Sequence, residues 1–376
     1  MLACLLVAGF MFLQSCEKKL GELTEGTLIE VESNVLHTPV LVRFIDAEDN
    51  STPSNISVEF VGEGAAQLFS TSGKATVKPT AGLMDIGFDK TIDVSPENPF
   101  EFSILVKATG YLPTLQSIFL TDVEPREVVI EMVNLSRLPD GVTVTNHSFQ
   151  TGANGTTEEL TFETVAGNSD APTVFIPAGT KMLDSEGNEL TGQVNFQIVN
   201  IDPSVEGALE YTPQTNRAKM ADGTIENGVF ADLVSLDFSM TVGNKEVKSF
   251  STPLTMEAKI PDGATDENGQ LIADGYIVPS WSLDETIGAW QMESQNEIES
   301  VGGELIVRTE VAHFSRWTLS VFFRTMFIAP PIINIQSDIP NDSQLEYRYH
   351  SELVWRFWRW DIPNSSWRSR TRYFRS

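Results

Sequence analysis

Two carboxylates lie between two tryptophans towards the C-terminal end of the chain. Trp281 and Trp290 bracket Asp284 and Glu285, a combination typical of sugar sites, in which aromatic rings stack on the sugar and carboxylates transfer protons. However, adjacent side chains on a strand point to opposite faces, so Asp284 and Glu285 cannot flank one glycosidic bond if the segment is extended. The favoured interpretation is a hairpin with charges at its tip and packed tryptophans, and weak ligand binding is the alternative.

Other patterns that could support catalysis or metal binding are weak. The histidines occur singly, without the spacing of zinc sites: His37, His147, His313 and His350. Acidic hairpins at residues 46–50, 184–189 and 262–268 offer oxygen ligands for calcium, but tight turns need the same residue types and none matches an EF-hand loop. A nucleophile elbow, a Walker loop and an HExxH motif are all absent from the sequence. We therefore predict a non-enzyme without metal or cofactor.

The N-terminal residues have the character of a cleavable leader. Residues 2–13 form an uninterrupted apolar run, which is shorter than the roughly 20 residues needed to span a bilayer and suits a signal peptide. Cysteine occurs only at Cys4 and Cys16. Removal of the leader would take Cys4 with it, so we expect no disulfide in the mature chain.

The residues that follow the apolar run point to a lipid anchor. Residues 13–16 read Leu-Gln-Ser-Cys and are followed by the polar stretch Glu-Lys-Lys. This segment resembles the lipobox of bacterial lipoproteins, although Gln14 replaces the usual small or aliphatic residue. The resemblance implies a signal peptide at residues 1–15, acylation of Cys16 and an outer-membrane lipoprotein that faces either the periplasm or the cell exterior. Residues 16–35, rich in Glu, Gly and Thr, are expected to form a tether.

The charge of the chain is unevenly distributed. The net charge is -27; residues 16–323 hold 17 basic and 47 acidic groups, whereas residues 324–376 hold eight arginines and five acidic groups. An acidic body repels phosphate backbones, so nucleic acid is excluded as its partner.

Short runs of alternating apolar and polar residues recur from Pro39 onwards. They include PVLVRFID and REVVIEMV, in which one face of a strand would be buried and the other wet. Turn residues separate the runs, and no convincing helical period lies between them. We predict an all-β fold of tandem antiparallel β-sandwich domains. The Leu-Pro-Asp-Gly junction at residues 138–141 is the expected boundary.

Two families are suggested by the residues of these regions. A strand ending in Asp46, the strand NISVEF, a turn at residues 72–74 and the sequence LVKATGYLP, with Gly110 and Tyr111, together resemble the transthyretin-like, carboxypeptidase regulatory-like β domain over residues 36–135. This implies a seven-stranded or similar sandwich without catalytic residues. The second β-rich domain, residues 140–323, contains an IPAGT turn, a D-x-x-G hairpin, the hairpin from Trp281 to Trp290 and the closing sequence HFSRW. It resembles the second region of large Gram-negative surface lipoproteins and, more faintly, the paired β modules of ankyrins and netrin receptors, which implies protein-interaction scaffolding.

The last segment, residues 324–376, differs in kind from the rest. It holds four of the seven tryptophans and eight of the fourteen arginines but no lysine. An out-of-frame or truncated end is one explanation, and an authentic exposed tail or partial further domain is another. The third is an Arg/Trp motif for nucleic acid or a membrane interface.

These observations predict a lipid-anchored cell-envelope protein. We expect a non-catalytic binding or scaffolding module, held at the membrane by lipid on Cys16, with a protein or glycan partner at the cell surface. An accessory glycan-binding lipoprotein for polysaccharide capture is the first alternative. A hydrolase hidden in residues 140–323 is the second.

Overall fold

The computed structural model describes residues 36–69 and 79–324. The expected signal peptide, Cys16 and the tether lie outside the described residues, as do the turn at residues 72–74 and the tail from residue 325. The described part is built almost entirely of strands, with two 3-10 turns at Ala65–Gln67 and Ala208–Tyr211. The predicted all-β fold is therefore confirmed. None of the described helices is long and apolar enough to cross a bilayer.

The first seven described strands form two facing sheets, which we call the N-terminal sandwich. The strands are β1 (Leu36–Asp46), β2 (Ser57–Val61), β3 (Leu68–Phe69), β4 (Leu83–Asp89), β5 (Phe100–Lys107), β6 (Thr114–Leu120) and β7 (Arg126–Met132). One sheet has the order β3-β4-β1-β7 and the other β2-β5-β6. Alternating apolar side chains, such as Val42, Phe44 and Phe102, fill the space between the sheets.

Within the N-terminal sandwich, one pairing departs from the predicted antiparallel arrangement. Strands β1 and β7 pair in parallel, from Val40↔Arg126 to Asp46↔Met132. The chain enters β7 from β6, which lies in the opposite sheet. Strands joined by a tight hairpin must be antiparallel, but β7 and β1 are not joined by one, so they are free to pair in parallel. Strand β1 is consequently bonded on both edges, to β4 and to β7.

The remaining strands form one continuous folded sheet, which we call the C-terminal β region. The longer strands are β8 (Val142–Thr151), β13 (Gly192–Ile201), β15 (Ile225–Val242), β17 (Ser249–Lys259), β18 (Ile277–Asp284), β19 (Ala289–Val301), β20 (Glu304–His313) and β21 (Arg316–Arg324). The shorter ones are β9 (Leu160–Glu163), β10 (Thr173–Ile176), β11 (Met182–Leu183), β12 (Glu189–Leu190), β14 (Arg217–Lys219) and β16 (Lys245–Glu246). The main path of hydrogen-bonded neighbours is β12-β11-β17-β20-β19-β18-β21-β15-β13-β8.

Strand β19 connects the two halves of this folded sheet. Its residues 289–297 pair with β18, and its residues 298–301 pair with β20. The two halves face one another across a large apolar core that includes Phe196, Phe238 and Trp317. The predicted boundary at residues 138–141 lies between β7 and β8.

A buried carboxylate fastens the end of β1. Asp46 is inaccessible to solvent and accepts hydrogen bonds from the amide of Glu48 (2.9 Å) and the hydroxyl of Tyr111 (2.9 Å). The amide of Asn134 donates to it at 3.2 Å, and the guanidinium of Arg137 lies at 2.8 Å. Asp46 and Tyr111, two residues that carry the transthyretin-like resemblance, thus lie in contact. The cluster ties the segment after β7 back to the N-terminal sandwich.

The same contacts lower the pKa of the Asp46 carboxyl group. Burial alone would raise the pKa of Asp46, but the hydrogen bonds to its carboxylate outweigh that effect and lower the pKa to about 2. An unfolded aspartate keeps a pKa near 3.8. The carboxylate therefore stabilises the fold fully above the unfolded pKa, and this stabilisation is lost as the pH falls towards 2.

We predict that Asp46→Asn lowers the free energy of unfolding by about 2 kcal/mol near neutral pH, because the variant loses the stabilisation that accompanies the lowered pKa of Asp46. The variant should also lose less stability than the wild type between about pH 4 and pH 2, because the titrating group is gone. Urea unfolding across this range measures both effects. Asp49→Asn is the matched control, because Asp49 contacts the same Arg137 but is 45% exposed; it should change stability by less than about 1 kcal/mol.

Candidate functional site

The tryptophan and carboxylate segment forms a hairpin of β18 and β19. Asp284 ends β18, and its carboxylate accepts hydrogen bonds from the amide and the hydroxyl of Thr286, at 3.0 and 2.5 Å. Gly288 closes the turn with φ +64°, and a Cβ at this position would lie 2.9 Å from the hydroxyl oxygen of Ser103 in the N-terminal sandwich. Asp284 thus shapes the turn, and the turn presses against the neighbouring sandwich.

The two indole rings of this hairpin are buried between the two β units. Trp281 and Trp290 are 0% and 2% exposed. They belong to an apolar cluster to which the N-terminal sandwich contributes Val61, Leu105 and Leu115. Neither ring presents a face on which a sugar could stack. The structure therefore places this predicted pair in an internal interface, which we call the sandwich joint.

Glu285 also contacts the N-terminal sandwich. Its carboxylate lies 2.9 Å from the ammonium of Lys107, and both side chains remain about half exposed. Exposed ion pairs contribute roughly 0 to 1 kcal/mol, so this contact orients the hairpin tip more than it stabilises the joint. Asp284 and Glu285 are engaged in different contacts, one in the turn and one across the joint, and do not converge on a shared site.

Buried charges accompany the apolar contacts of the joint. Arg217 is nearly inaccessible, and its Nε lies 3.9 Å from the carboxylate of Glu101. Burial raises the pKa of Glu101, and the neighbouring guanidinium of Arg217 acts against that rise. Arg316, also buried, donates to the carbonyl of Pro113 at 2.7 Å and to the carboxylate of Asp237 at 3.1 Å. These guanidinium groups face the joint from the C-terminal side.

Backbone hydrogen bonds continue the β structure across the joint. The amide of Ser117 donates to the carbonyl of Gln214, and the amide of Gln214 donates to the carbonyl of Leu115, both at 2.8 Å. The segment before β14 therefore extends the β2-β5-β6 sheet at its β6 edge. The hydroxyl of Thr215 also donates to the carbonyl of Gly288 at 2.8 Å, which links this segment to the hairpin turn.

A second apolar contact lies beside the connection between the two units. Leu112 and Val133 of the N-terminal side pack with Val142, Val199 and Ile201 of the outer face of β8 and β13. Two separate apolar contacts, with backbone bonds between them, resist both rotation and sliding of one unit over the other.

An apolar groove opens where β18 and β21 separate. The two strands pair only from Ser280↔Leu319 to Ser282↔Trp317, although β18 begins at Ile277 and β21 ends at Arg324. Each remains paired on its other edge, β18 with β19 and β21 with β15. The strands splay apart, and the space between them is a groove of about 700 Å³.

The lining of this groove is mainly aromatic and aliphatic. Tyr276, Ile277, Met292 and Phe322 contribute to it. Polar groups lie among them: the hydroxyl of Tyr276 donates to the carboxylate of Glu267 at 2.8 Å. The groove is thus an open apolar surface with a fixed tyrosine.

A second open surface is uncharged and polar. It lies on the outer face of β8, β13 and β15, where pocket-lining residues form two cross-strand rows. The rows are Asn146-Gln197-Ser239 and Ser148-Asn195-Thr241. The amide of Gln197 donates to the side-chain oxygen of Asn146 at 3.0 Å. We call this surface the amide face; its amide and hydroxyl groups can both donate and accept hydrogen bonds.

The acidic hairpins and the best-placed histidine have local partners. The carboxylate of Asp184 accepts the amides of Glu186 and Asn188, and that of Asp266 accepts the amide of Asn268. His313 lies 3.3 Å from the carboxylate of Glu293, whose hydrogen bond raises the pKa of the imidazole. Within residues 36–69 and 79–324, no group of three or more His, Cys, Asp or Glu is placed to hold a metal ion.

Comparison with known proteins adds no family to these observations. The chain matches no model of a known protein family, and a search of curated protein sequences finds no match either.

We predict that Trp281→Ala lowers the free energy of unfolding by about 3 to 5 kcal/mol, because it removes a buried indole from the joint and leaves a cavity. Glu285→Gln should change it by less than about 1 kcal/mol, because the pair with Lys107 is exposed. Chemical unfolding of the two variants beside the wild type measures the contrast. Equal stability of Trp281→Ala and the wild type would show that the hairpin does not hold the two β units together.

Proposed function

We propose that this chain is a lipid-anchored cell-envelope protein in which two joined β units form a non-catalytic binding or scaffolding module. The sandwich joint is the observation that carries the proposal. Its buried tryptophans, buried guanidinium groups and backbone bonds make one body of two units. A scaffold benefits from holding its binding surfaces in a fixed relative position. If the two units were joined by a flexible linker, ordering that linker at each binding event would cost conformational entropy.

The proposed anchor is Cys16, supported by the apolar run and the Leu-Gln-Ser-Cys segment of the sequence. Residues 16–35 separate this cysteine from the first described strand. We propose that these residues are the tether between the anchor and the acidic body, which anionic lipid headgroups repel.

We expect expression of the full chain in a Gram-negative host to give a membrane-bound protein that incorporates a clickable fatty acid. Cys16→Ser should abolish the label and leave the leader uncut, because the thiol is the acceptor of the acyl group. Cys4→Ser is the matched control and should keep the label, since Cys4 would be removed with the leader. Intact-mass analysis and membrane fractionation provide the readouts. An unlabelled, uncut wild-type chain in the cytosolic fraction would contradict the anchor.

The amide face favours a second candidate, the binding of a neutral glycan. In a chain of net charge -27, two rows of uncharged amide and hydroxyl side chains offer hydrogen bonds without electrostatic repulsion or attraction. Polyhydroxyl ligands supply complementary donors and acceptors. Because Trp281 and Trp290 are buried, this candidate relies on the amide face and not on stacking at the hairpin.

This candidate predicts binding of neutral rather than anionic polysaccharides to the purified protein. Replacement of Asn195 and Gln197 together by Ala should weaken that binding by about tenfold, since each side chain supplies hydrogen bonds on an exposed surface. Asn268→Ala, in a distant turn, is the control and should bind normally. Binding that is unchanged in the double variant, measured by affinity electrophoresis in polysaccharide gels, would exclude the amide face.

A further inference from the structure

One end of the folded sheet in the C-terminal β region is an open edge. Strand β8 is the last strand of the path, and among the described strands it is hydrogen-bonded to β13 alone. This pairing runs without a register shift from Val142↔Ile201 to Thr151↔Gly192. A strand that is paired on one side only presents main-chain amide and carbonyl groups to which another strand can bond.

The two ends of β8 show which main-chain groups face this edge. The amide of Val142 donates to the carbonyl of Pro139, and the amide of Gly152 donates to the carbonyl of Gly155, both at 3.1 Å. Both amides therefore point away from β13. Because main-chain groups alternate between the two sides of a strand, every second residue in between points the same way. These residues, which we call the β8 edge, are Val144, Asn146, Ser148 and Gln150.

The β8 edge lacks the features that usually keep a strand edge from pairing, which are charged side chains, proline, a bulge or a short strand. Strand β8 has ten residues and contains no proline and no Asp, Glu, Lys or Arg. Other edge strands of the described part are short or charged. Strands β3 and β12 have two residues each, and β7 carries Arg126, Glu127 and Glu131.

Contacts on the core-facing side of β8 hold this edge in place. The hydroxyl of Thr145 donates to the carbonyl of Thr164 at 2.6 Å, and Nε2 of His147 lies 3.1 Å from the carbonyl oxygen of Glu163. The ring of His147 also packs on Phe162. A strand that is already ordered loses little conformational entropy when a second strand binds to it.

The charge around the β8 edge favours a second copy of the chain as the partner. Because the chain has a net charge of -27, two copies repel one another wherever their acidic surfaces meet. The two outermost strands, β8 and β13, contain no Asp, Glu, Lys or Arg. In a two-fold pair a strand meets its own copy, so a charged residue would face a like charge. Amides and hydroxyls can both donate and accept hydrogen bonds and therefore suit self-pairing.

We propose that the chain forms a two-fold dimer in which the β8 edges of two copies pair as antiparallel strands. The register that uses the whole edge places Asn146 opposite Ser148 of the second copy, and Val144 opposite Gln150. The outer faces of the two sheets then lie on the same side, so the amide face continues from one copy into the other. This pairing depends on neither the lipid anchor nor glycan binding.

Sedimentation velocity of the detergent-solubilised full chain tests the dimer, which should form at micromolar concentration. Asn146→Lys with Ser148→Lys should raise its dissociation constant about tenfold or more, because lysines on the edge would face one another across the axis. The matched control is Ser239→Lys with Thr241→Lys. It adds the same charge to the same cross-strand rows, two strands further from the edge, and should leave the dimer intact.

Each outcome of this experiment decides the proposal. Both variants keep the same anchor, so sharing of a detergent micelle would affect them equally, and near-ultraviolet circular dichroism checks that each keeps its fold. A wild type that stays monomeric would overturn the dimer, and so would a dimer that persists when the edge carries lysines. Pairing of β8 with a strand of a different protein, in place of a second copy, would overturn it too.

Disulfide cross-linking tests the register. Antiparallel neighbours that exchange hydrogen bonds lie within disulfide range, so a mixture of Asn146→Cys and Ser148→Cys chains should form a linked dimer on mild oxidation. A mixture of Ser239→Cys and Thr241→Cys chains should not. The wild type, oxidised alongside, gives the background from the native cysteines. No linkage above this background in the first mixture would rule out pairing through the β8 edge.

Discussion

The burial of the outer face of the β2-β5-β6 sheet against the β18-β19 hairpin is the contact on which the arrangement of the two β units depends. Strand β5 is buried on both faces: Phe102 points into the N-terminal sandwich and Leu105 into the joint. A sheet that buries only one face has apolar residues at alternate positions. The β2-β5-β6 sheet has apolar residues on both faces, so it needs a packing partner on each side. Trp281 and Trp290 supply the second partner, in an apolar cluster distinct from the main core of each unit.

Polar groups fix the relative position of the two β units at this apolar contact. A flat apolar surface alone could slide by a residue or more, whereas a buried guanidinium group requires an acceptor at a fixed place. Arg316 finds the carbonyl of Pro113 across the joint, and Arg217 faces Glu101. The bonds between Gln214 and the edge of β6 impose a register as well. Apolar burial stabilises the joint, and these polar contacts select one relative position of the two units.

The fold class could be predicted from the sequence, because alternation and turn residues are local signals. Runs such as PVLVRFID and REVVIEMV become β1 and β7, and the segment from Trp281 to Trp290 becomes a hairpin. The partner of each strand could not be predicted, because pairing depends on contacts distant in sequence. The parallel β1-β7 pair is an example. For Trp281, Trp290, Asp284 and Glu285 the sequence favoured a hairpin with packed tryptophans over weak ligand binding, but it did not show that the tryptophans pack against a second sheet.

The sandwich joint leaves a recognisable pattern in the sequence, whereas the apolar groove does not. The run Ser-Ile-Leu-Val-Lys of β5 breaks strict alternation at Leu105, and this break is a signal that both faces of the strand are covered. The groove has no comparable signal. It exists because β18 and β21 stop pairing at Ser280↔Leu319, and local sequence does not determine where two strands part. The amide face was also missed, since its residues alternate with buried ones as in any half-exposed sheet.

The placement of β1 and β21 inside their sheets has a mechanical consequence. β1 lies between β4 and β7, and β21 lies between β18 and β15. A tension applied through Leu36 and Arg324 would therefore load β1, which is bonded on both edges from Val40 onwards, and β21, which is bonded to β15 along its length but to β18 only from Trp317 to Leu319. Strands with a neighbour on each side resist removal more than an edge strand, because two sets of hydrogen bonds must break. The pull would meet more resistance at β1 than at the Arg324 end of β21.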